Sequence, residues 1–233
     1  MRVIFIVPCF NASRNLHALV SSLMSQNDNR WSCVIIDDIS TDNTFEVANS
    51  IPSNKFATIK NNNKKYALRN IVETTRLYEN RDDIVIAVID GDDMLCNDNT
   101  VKLLLDEYEN NNSDVVWTAH KWDINGMNIS SEIPSNVDPY SWKWSSSHLR
   151  TFRSSLIKNI SDINFKDCSG NWFKRGYHQA LMLPILSLTK NRKFIPEVCY
   201  QYNINSVSIE NRSWEEKDQI STINIVRSRG FLK

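Results

Sequence analysis

Long apolar runs are missing from this 233-residue chain. A membrane-spanning helix needs roughly 20 consecutive apolar residues, and no stretch approaches that. The opening "MRVIFIVPCF" is apolar but short, is broken by Pro8, and is followed by no small-residue cleavage site. It is therefore expected to be a core strand rather than a secretion signal. Cysteine is sparse and scattered. Cys9, Cys33, Cys96, Cys168 and Cys199 are odd in number and form no CxxC pair, which argues against a zinc site or a disulfide framework and points to a reducing cytoplasm. In that compartment the glycan-acceptor patterns at 11–13, 128–130 and 159–161 would be silent. No sign of charge dominates: Lys+Arg and Asp+Glu both count 27, without the basic surplus typical of wholesale nucleic-acid binding. Glycine is scarce too. None lies in "PCFNASRN" after the first apolar run, where a triphosphate-cradling loop would want it.

What is present alternates. "VIFIV" (3–7) has the continuous aliphatic character of a strand covered on both faces. A helix is expected from about Ser13, with Leu16, Leu19, Val20, Leu23 and Met24 at helical spacing and Ser13 or Asn15 as cap. "SCVIID" (32–37) reads as a second strand, followed by a short helix capped by Asp42, and "FATIK" as a weak third strand. "YALRNIVETTRLYE" reads as a helix with Leu68, Ile71, Val72 and Leu77 inward. "IVIAVID" is the most apolar strand, "NDNTVKLLLDEYENN" a further helix and "SDVVWTAH" a further strand. This rhythm implies a mostly parallel sheet with helices on both faces. After residue 122 it breaks into a polar, aromatic, irregular segment with Trp142 and Trp144, of a length usually reserved for function. "GYHQALMLPILSLT", with Pro184, reads as a last helix, and "KFIPEVCYQYN" as a strand pair or edge.

Charges rarely end a core strand, yet "VIAVIDGDDML" (85–95) places Asp90, Asp92 and Asp93 there. Open parallel sheets bind ligands at the carboxyl ends of their strands. Paired carboxylates there can hold a hard divalent cation, which in turn neutralises a diphosphate. A lone DxD is more often a capped turn or a solvated loop, so the acids alone would not carry this reading.

The ordered set "VIFIVPCFNASRNLHALVSSLMSQ", "VIIDDISTDNTFEVA", "ALRN" and "VIDGDDML" resembles the nucleotide-sugar half of family-2 glycosyltransferases over residues 1–120, and more weakly their acceptor side beyond. The resemblance implies a GT-A fold: a Rossmann-like, mostly parallel sheet with a smaller acceptor-side region, residues 1–120 binding the nucleotide sugar and 121–233 the acceptor within one domain. It implies that Pro8 and Phe10 flank the base and Asn11 shapes the turn. Asp38 would accept a hydrogen bond from the base, typically uracil. Arg69 would sit near the ribose or diphosphate, with Lys64 or Lys65 assisting. Asp90 would contact the ribose and Gly91 the nucleotide, Asp90 and Asp92 would hold a Mn²⁺ or Mg²⁺ ion, and Asp93 would orient the loop. Blander readings exist for each: Pro8 ending a strand, Asp38 capping a turn through Ser40 and Thr41, Arg69 solvated on its helix, Asn70 structural.

Inverting transfer needs a base for the acceptor hydroxyl. Relatives place an acid in a "GYDQAL"-like segment, whereas this chain has His178. A histidine is a chemically plausible substitute near neutral pH, Asp167 is another, and loss of activity a third outcome. Trp144, His148 and Trp172 are candidates to stack on acceptor sugars, though a core role is equally open; Arg150 and Arg153 could contact phosphates or lie exposed. The expected function is a divalent-metal-dependent, inverting transfer from a nucleotide-diphosphate sugar, UDP by default, to a hydroxyl acceptor such as a glycan, by a protein that binds no nucleic acid. The alternatives are a non-catalytic sugar-nucleotide or glycan-binding domain and a nucleotidyltransferase.

Overall fold

The structure, a computed structural model, describes residues 1–204 and 212–233, with side chains from residue 216 onward in the second stretch. Its elements run β1 Arg2–Cys9, α1 Leu16–Met24, β2 Trp31–Asp37, α2 Thr44–Asn49, β3 Phe56–Lys60, α3 Tyr66–Arg76, β4 Ile84–Val88, β5 Met94–Leu95, α4 Thr100–Asn110, β6 Val115–Trp122, β7 Arg150–Arg153, α5 Tyr177–Ser187, β8 Arg192–Tyr202 and α6 Arg212–Arg229. Two 3₁₀ turns, Ser154–Asn159 and Asp162–Phe165, join β7 to the approach to α5.

One eight-stranded sheet, ordered β3-β2-β1-β4-β7-β6-β8-β5, carries everything. The block β3-β2-β1-β4 is parallel throughout. β7 then enters antiparallel to both β4 and β6, β6 pairs parallel with β8, and the short β5 edges β8 antiparallel. Alternation along the strands divides the core between two faces. Ile4, Ile6, Ile84, Ile86 and Val88 pack with Leu68, Ile71 and Val72 of α3 and with α5. Val3, Phe5, Val7, Val85 and Ala87 pack with Leu16, Leu19 and Leu23 of α1 and Leu104, Leu105 and Tyr108 of α4. Full burial of each larger aliphatic contributes about 1.5–3 kcal/mol relative to exposure.

The alternating first half agrees with the sequence pattern in its elements, but Leu77, expected inward, is 73% exposed because α3 ends at Arg76. Asp42 sits one residue ahead of the α2 cap position, its Oδ1 accepting from Thr44 N at 3.0 Å. The second half differs in three ways. The irregular segment hides a strand, β7, too short to leave a periodic signal. "KFIPEVCYQYN" forms one long strand beside β6, and the edge belongs to β5. Arg150, for which exposure was one expectation, is 1% exposed inside β7. Among the described residues no helix is long and apolar enough to cross a membrane.

Candidate functional site

Three neighbouring parallel strands end at one place. β1 runs out through Pro8 and Cys9 into Phe10, β2 through Asp37 into Asp38, and β4 through Ile89 into Asp90. Asp38 N donates to Cys9 O at 2.8 Å and Ile89 N to Ile6 O at 3.2 Å, so these ends are fastened to one another. They open onto a cleft of about 990 Å³. Pro8, Phe10, Asp38, Lys64, Asp90 and Asp92 line one side, and Trp144, His148, Tyr177 and His178 the other.

Asn11 and Gly91 shape the rim from behind. Asn11 adopts a left-handed φ of 54°, and its Oδ1 accepts from Thr41 N at 2.8 Å, tying the loop after β1 to the loop after β2. A Cβ on Gly91 would lie 2.6 Å from Cys9 Sγ and 3.2 Å from Pro8 O, so only glycine lets the acidic loop approach β1 this closely. Arg69 and Trp172 do not line the cleft. Arg69 Nε donates to Glu73 Oε1 at 2.7 Å on the outside of α3, while Trp172 stacks on Phe165 at 5.9 Å. Lys65 likewise pairs with Glu73. Asp167 forms an exposed turn, accepting from Ser169 N and Asn171 N at 2.9 Å each.

Asp38 is buried and accepts from Lys65 N at 2.9 Å, Tyr66 N at 2.8 Å and Asn61 Nδ2 at 2.7 Å. Burial raises its pKa, but these bonds and one with Asn70 outweigh it and hold the carboxyl below its ordinary value. It caps the start of α3 instead of the Ser40–Thr41 turn, where Asp37 Oδ1 accepts from Ser40 N. Lys64 reaches over this corner, donating to Asp38 O at 3.0 Å and covering the Phe10 ring.

Asp90 is held from the far side of the cleft. Arg150 Nη2 donates to its Oδ2 at 3.1 Å, and Tyr177 OH donates to its Oδ1. The guanidinium also reaches the Tyr177 hydroxyl at 3.2 Å, while Arg150 Nε, fully buried, has no hydrogen-bond partner among the described residues. Sequence reasoning missed Tyr177. Its only signal was adjacency to His178 at a helix start.

Ligand atoms of Asp90, Asp93 and His148 lie within 4.8 Å of one another. The expected pair was Asp90 with Asp92; Asp92 lines the cleft but is outside this group. Asp93 is buried, accepting from Tyr200 OH at 2.6 Å and Asn203 N at 2.8 Å. Burial, then the charges of Asp92 and Asp90, push its pKa well up, the mark of a site rich in negative charge. His148 stacks on Tyr200 at 4.7 Å, and its Nδ1 has no partner among the described residues; burial and Arg150 keep it neutral, as a metal-binding imidazole must be. Two carboxylates and an imidazole fit a divalent ion such as Mn²⁺.

His178 opens α5, half-buried, with its ring 5.3 Å from that of Trp144. Burial and the charge of Arg150 push its pKa down to about 3. It is a neutral hydrogen-bonding group with little appetite for a proton.

This mixed α/β sheet has the fold of known glycosyltransferase structures. The model of the glycosyl transferase family 2 matches residues 4–180, and the chain belongs to that family. No curated protein matches it in sequence. Among solved structures it is similar to Staphylococcus aureus TarS 1–349 in complex with UDP-GlcNAc, at TM-score 0.69 and 18% identity over 88% of this chain and 59% of that one. The same protein with UDP aligns at TM-score 0.71 and 17% identity over 100% of this chain and 67% of TarS 1–349. The mannosyltransferase PcManGT of Pyrobaculum calidifontis, in complex with GDP-Man and Mn²⁺, aligns at TM-score 0.61 and 13% identity over 94% and 63%. At these identities the likeness is one of fold, and this chain spans about three-fifths of the length of these neighbours.

Proposed function

We propose that this protein transfers a sugar, with inversion, from a nucleotide-diphosphate donor of the UDP type to a hydroxyl acceptor. Residues 1–120 form the donor side and 121–233 the acceptor side. The observation that carries the reading is the convergence of Pro8, Phe10, Asp38, Asp90 and Asp92, from the ends of three adjacent parallel strands, on a single cleft. Phe10, exposed, offers the ring face that Lys64 does not cover, and Asp38 beside it offers an acceptor for a nucleobase. Asp90, with Asp93 and His148 or with Asp92, would hold a divalent ion, whose chemistry is to neutralise charge on the departing diphosphate. Arg150 adds a fixed cation beneath Asp90. His178 and Trp144 form the acceptor wall, the imidazole hydrogen-bonding and the indole offering its face to a sugar ring. Five free cysteines favour a reducing compartment, and we place the protein in the cytoplasm.

Thermal denaturation with UDP and GDP, with and without Mn²⁺, tests the reading. A nucleotide at about 100 times its Kd stabilises the fold by about 2.7 kcal/mol. That gain should need the metal and disappear in Asp92→Ala. Full metal-dependent stabilisation in the variant would displace the site. The histidine at position 178 supports a second reading, a domain that binds a sugar nucleotide without turning it over. Release of free UDP from UDP-GlcNAc or of GDP from GDP-mannose separates the two.

A further inference from the structure

Four acidic side chains line the cleft: Asp38, Asp90, Asp92 and Glu216. Three of them belong to the donor side. Asp38 is closed by the start of α3, Asp90 is held by Arg150 and Tyr177, and Asp92 sits in the same loop as Asp90. Glu216 arrives from the opposite wall, on α6.

The placement of α6 is firmly set. Glu216, Gln219 and Ile223 all line the cleft, and their spacing of three and four residues puts them on one helical face. One turn along, α6 presses against the start of α5, where a Cβ on Gly176 would come within 2.9 Å of Gln219 O and 3.2 Å of Thr222 Cβ. Gly176, with φ of 62°, immediately precedes Tyr177 and His178. Further along, Arg227 Nε donates to Gln179 Oε1 at 2.7 Å and its Nη1 to Tyr140 O and Trp142 O at 2.7 Å each. The helix is thereby pinned to the residue after His178 and to the loop that carries Trp144. Among the described residues Glu216 itself has no hydrogen-bond or ion-pair partner.

We propose that Glu216 is the general base of the transfer, supplied by α6 because α5 carries a histidine where an acid was expected. The inference rests on the transferase reading above. In the step, the acceptor oxygen forms its bond to the anomeric carbon as the carbon–oxygen bond to the diphosphate breaks. The bonding pair leaves with the diphosphate, and the hydroxyl proton passes to the Glu216 carboxylate, which later releases it to water. His178, whose protonated form burial disfavours, orients the hydroxyl by a hydrogen bond.

The test compares Glu216→Gln, Glu216→Ala and His178→Ala in release of nucleotide diphosphate from UDP-GlcNAc and from GDP-mannose with Mn²⁺. Loss of a positioned base lowers kcat by about 10²–10⁴-fold. Glu216→Gln should show that loss while its stabilisation by UDP and Mn²⁺ stays at the parent level, and added formate should restore part of the rate in Glu216→Ala. Parent-like turnover in Glu216→Gln overturns the assignment, and so does a formate response in His178→Ala that Glu216→Ala lacks. If the parent binds nucleotide but turns over neither donor, the base has no reaction to serve and the inference fails. If it binds no nucleotide, the transferase reading fails first, and the absent stabilisation identifies that case.

Discussion

Between β1 and α3 the loops of the cleft are held by acceptors. Asp38 takes the N–H groups of Lys65 and Tyr66, Asp37 that of Ser40, Asn11 that of Thr41 and Asp42 that of Thr44. Across the cleft, guanidinium donors also fasten the chain. Arg192 donates to Pro134 O and Val137 O, Arg227 to Tyr140 O and Trp142 O, and Arg229 to Lys166 O and Asn164 O. Short carboxylates fix tight turns at strand ends, where a few exposed N–H groups must be satisfied. Long guanidinium forks instead gather carbonyls from irregular chain 50 to 90 residues distant in sequence, with |i−j| of 58 for Arg192 to Pro134 and 87 for Arg227 to Tyr140. The first set of bonds spans 2 to 30 residues and the second 55 to 87, so the later part of the chain is fastened over longer sequence distances. Arg150 joins the two parts, touching Asp90 on one side and Tyr177 on the other.

That seam gives the largest expected effect. Arg150→Met removes the cation from a buried pair and leaves Asp90 facing Tyr177 alone. Breaking such a pair costs about 3–5 kcal/mol, to be read as a lower urea midpoint at unchanged m. A loss below about 1 kcal/mol, the range of an exposed pair, would show that the two sides are not joined there.

A pair of substitutions separates the sides themselves. Asp38→Asn removes a carboxylate that accepts two backbone N–H groups, at a cost of about 1.5–3 kcal/mol for charged hydrogen bonds. It should also abolish stabilisation by UDP with Mn²⁺. Arg227→Ala leaves the Gln179 amide oxygen and two carbonyls unsatisfied, a penalty of about 1–3 kcal/mol, but should leave stabilisation by UDP with Mn²⁺ intact. Equal loss of nucleotide response in both variants would erase the distinction between the two separately fastened sides of the cleft.

The contrast also explains what the sequence disclosed. β1, β2, β4 and α3 announce themselves because their residues bury locally, in runs such as "VIFIV" and "IVIAV" whose period is visible within a few residues. Pro8, Phe10, Asp38, Asp90 and Asp92 sit at the ends of those runs, so that wall of the cleft was legible with them. β7 is four residues long, and nothing near it in sequence reveals that Arg150 will be buried beside Asp90 or that α6 will supply Glu216. Arg69 shows the converse: its position in the motif suggested a ligand, and its rotation on α3 turns it toward Glu73 and away from the cleft lining. His148 was read as a sugar platform because aromatic composition was visible and its neighbours Asp90 and Asp93, more than 50 residues earlier, were not.

A smaller effect sharpens the comparison through pH. Burial and Arg150 push His120 down to about 4, from an ordinary 6.5. Its Nδ1 lies 3.0 Å from Ser130 Oγ and its ring 5.3 Å from that of His148, so it belongs to the wall of the cleft opposite the strand-end acids. The folded state keeps this imidazole neutral while the unfolded chain takes up a proton, so the unfolded state binds more protons as pH falls below 6.5 and stability falls with it. The expected cost is about 1 kcal/mol between about pH 6.5 and about pH 5.5. Asp38, held below its usual range, loses its contribution only at lower pH, in the same direction. Asp93, pushed up, acts with the opposite sign, because its protonated form is favoured in the folded state. Both acids are common to the parent and to His120→Asn, so they cancel when the two urea stabilities are subtracted at each pH. The variant should be less stable than the parent at neutral pH, but its stability should fall by about 1 kcal/mol less across that interval. Parallel curves would mean that His120 takes up its proton in the folded state, and that the acceptor side is open to water beneath Arg150.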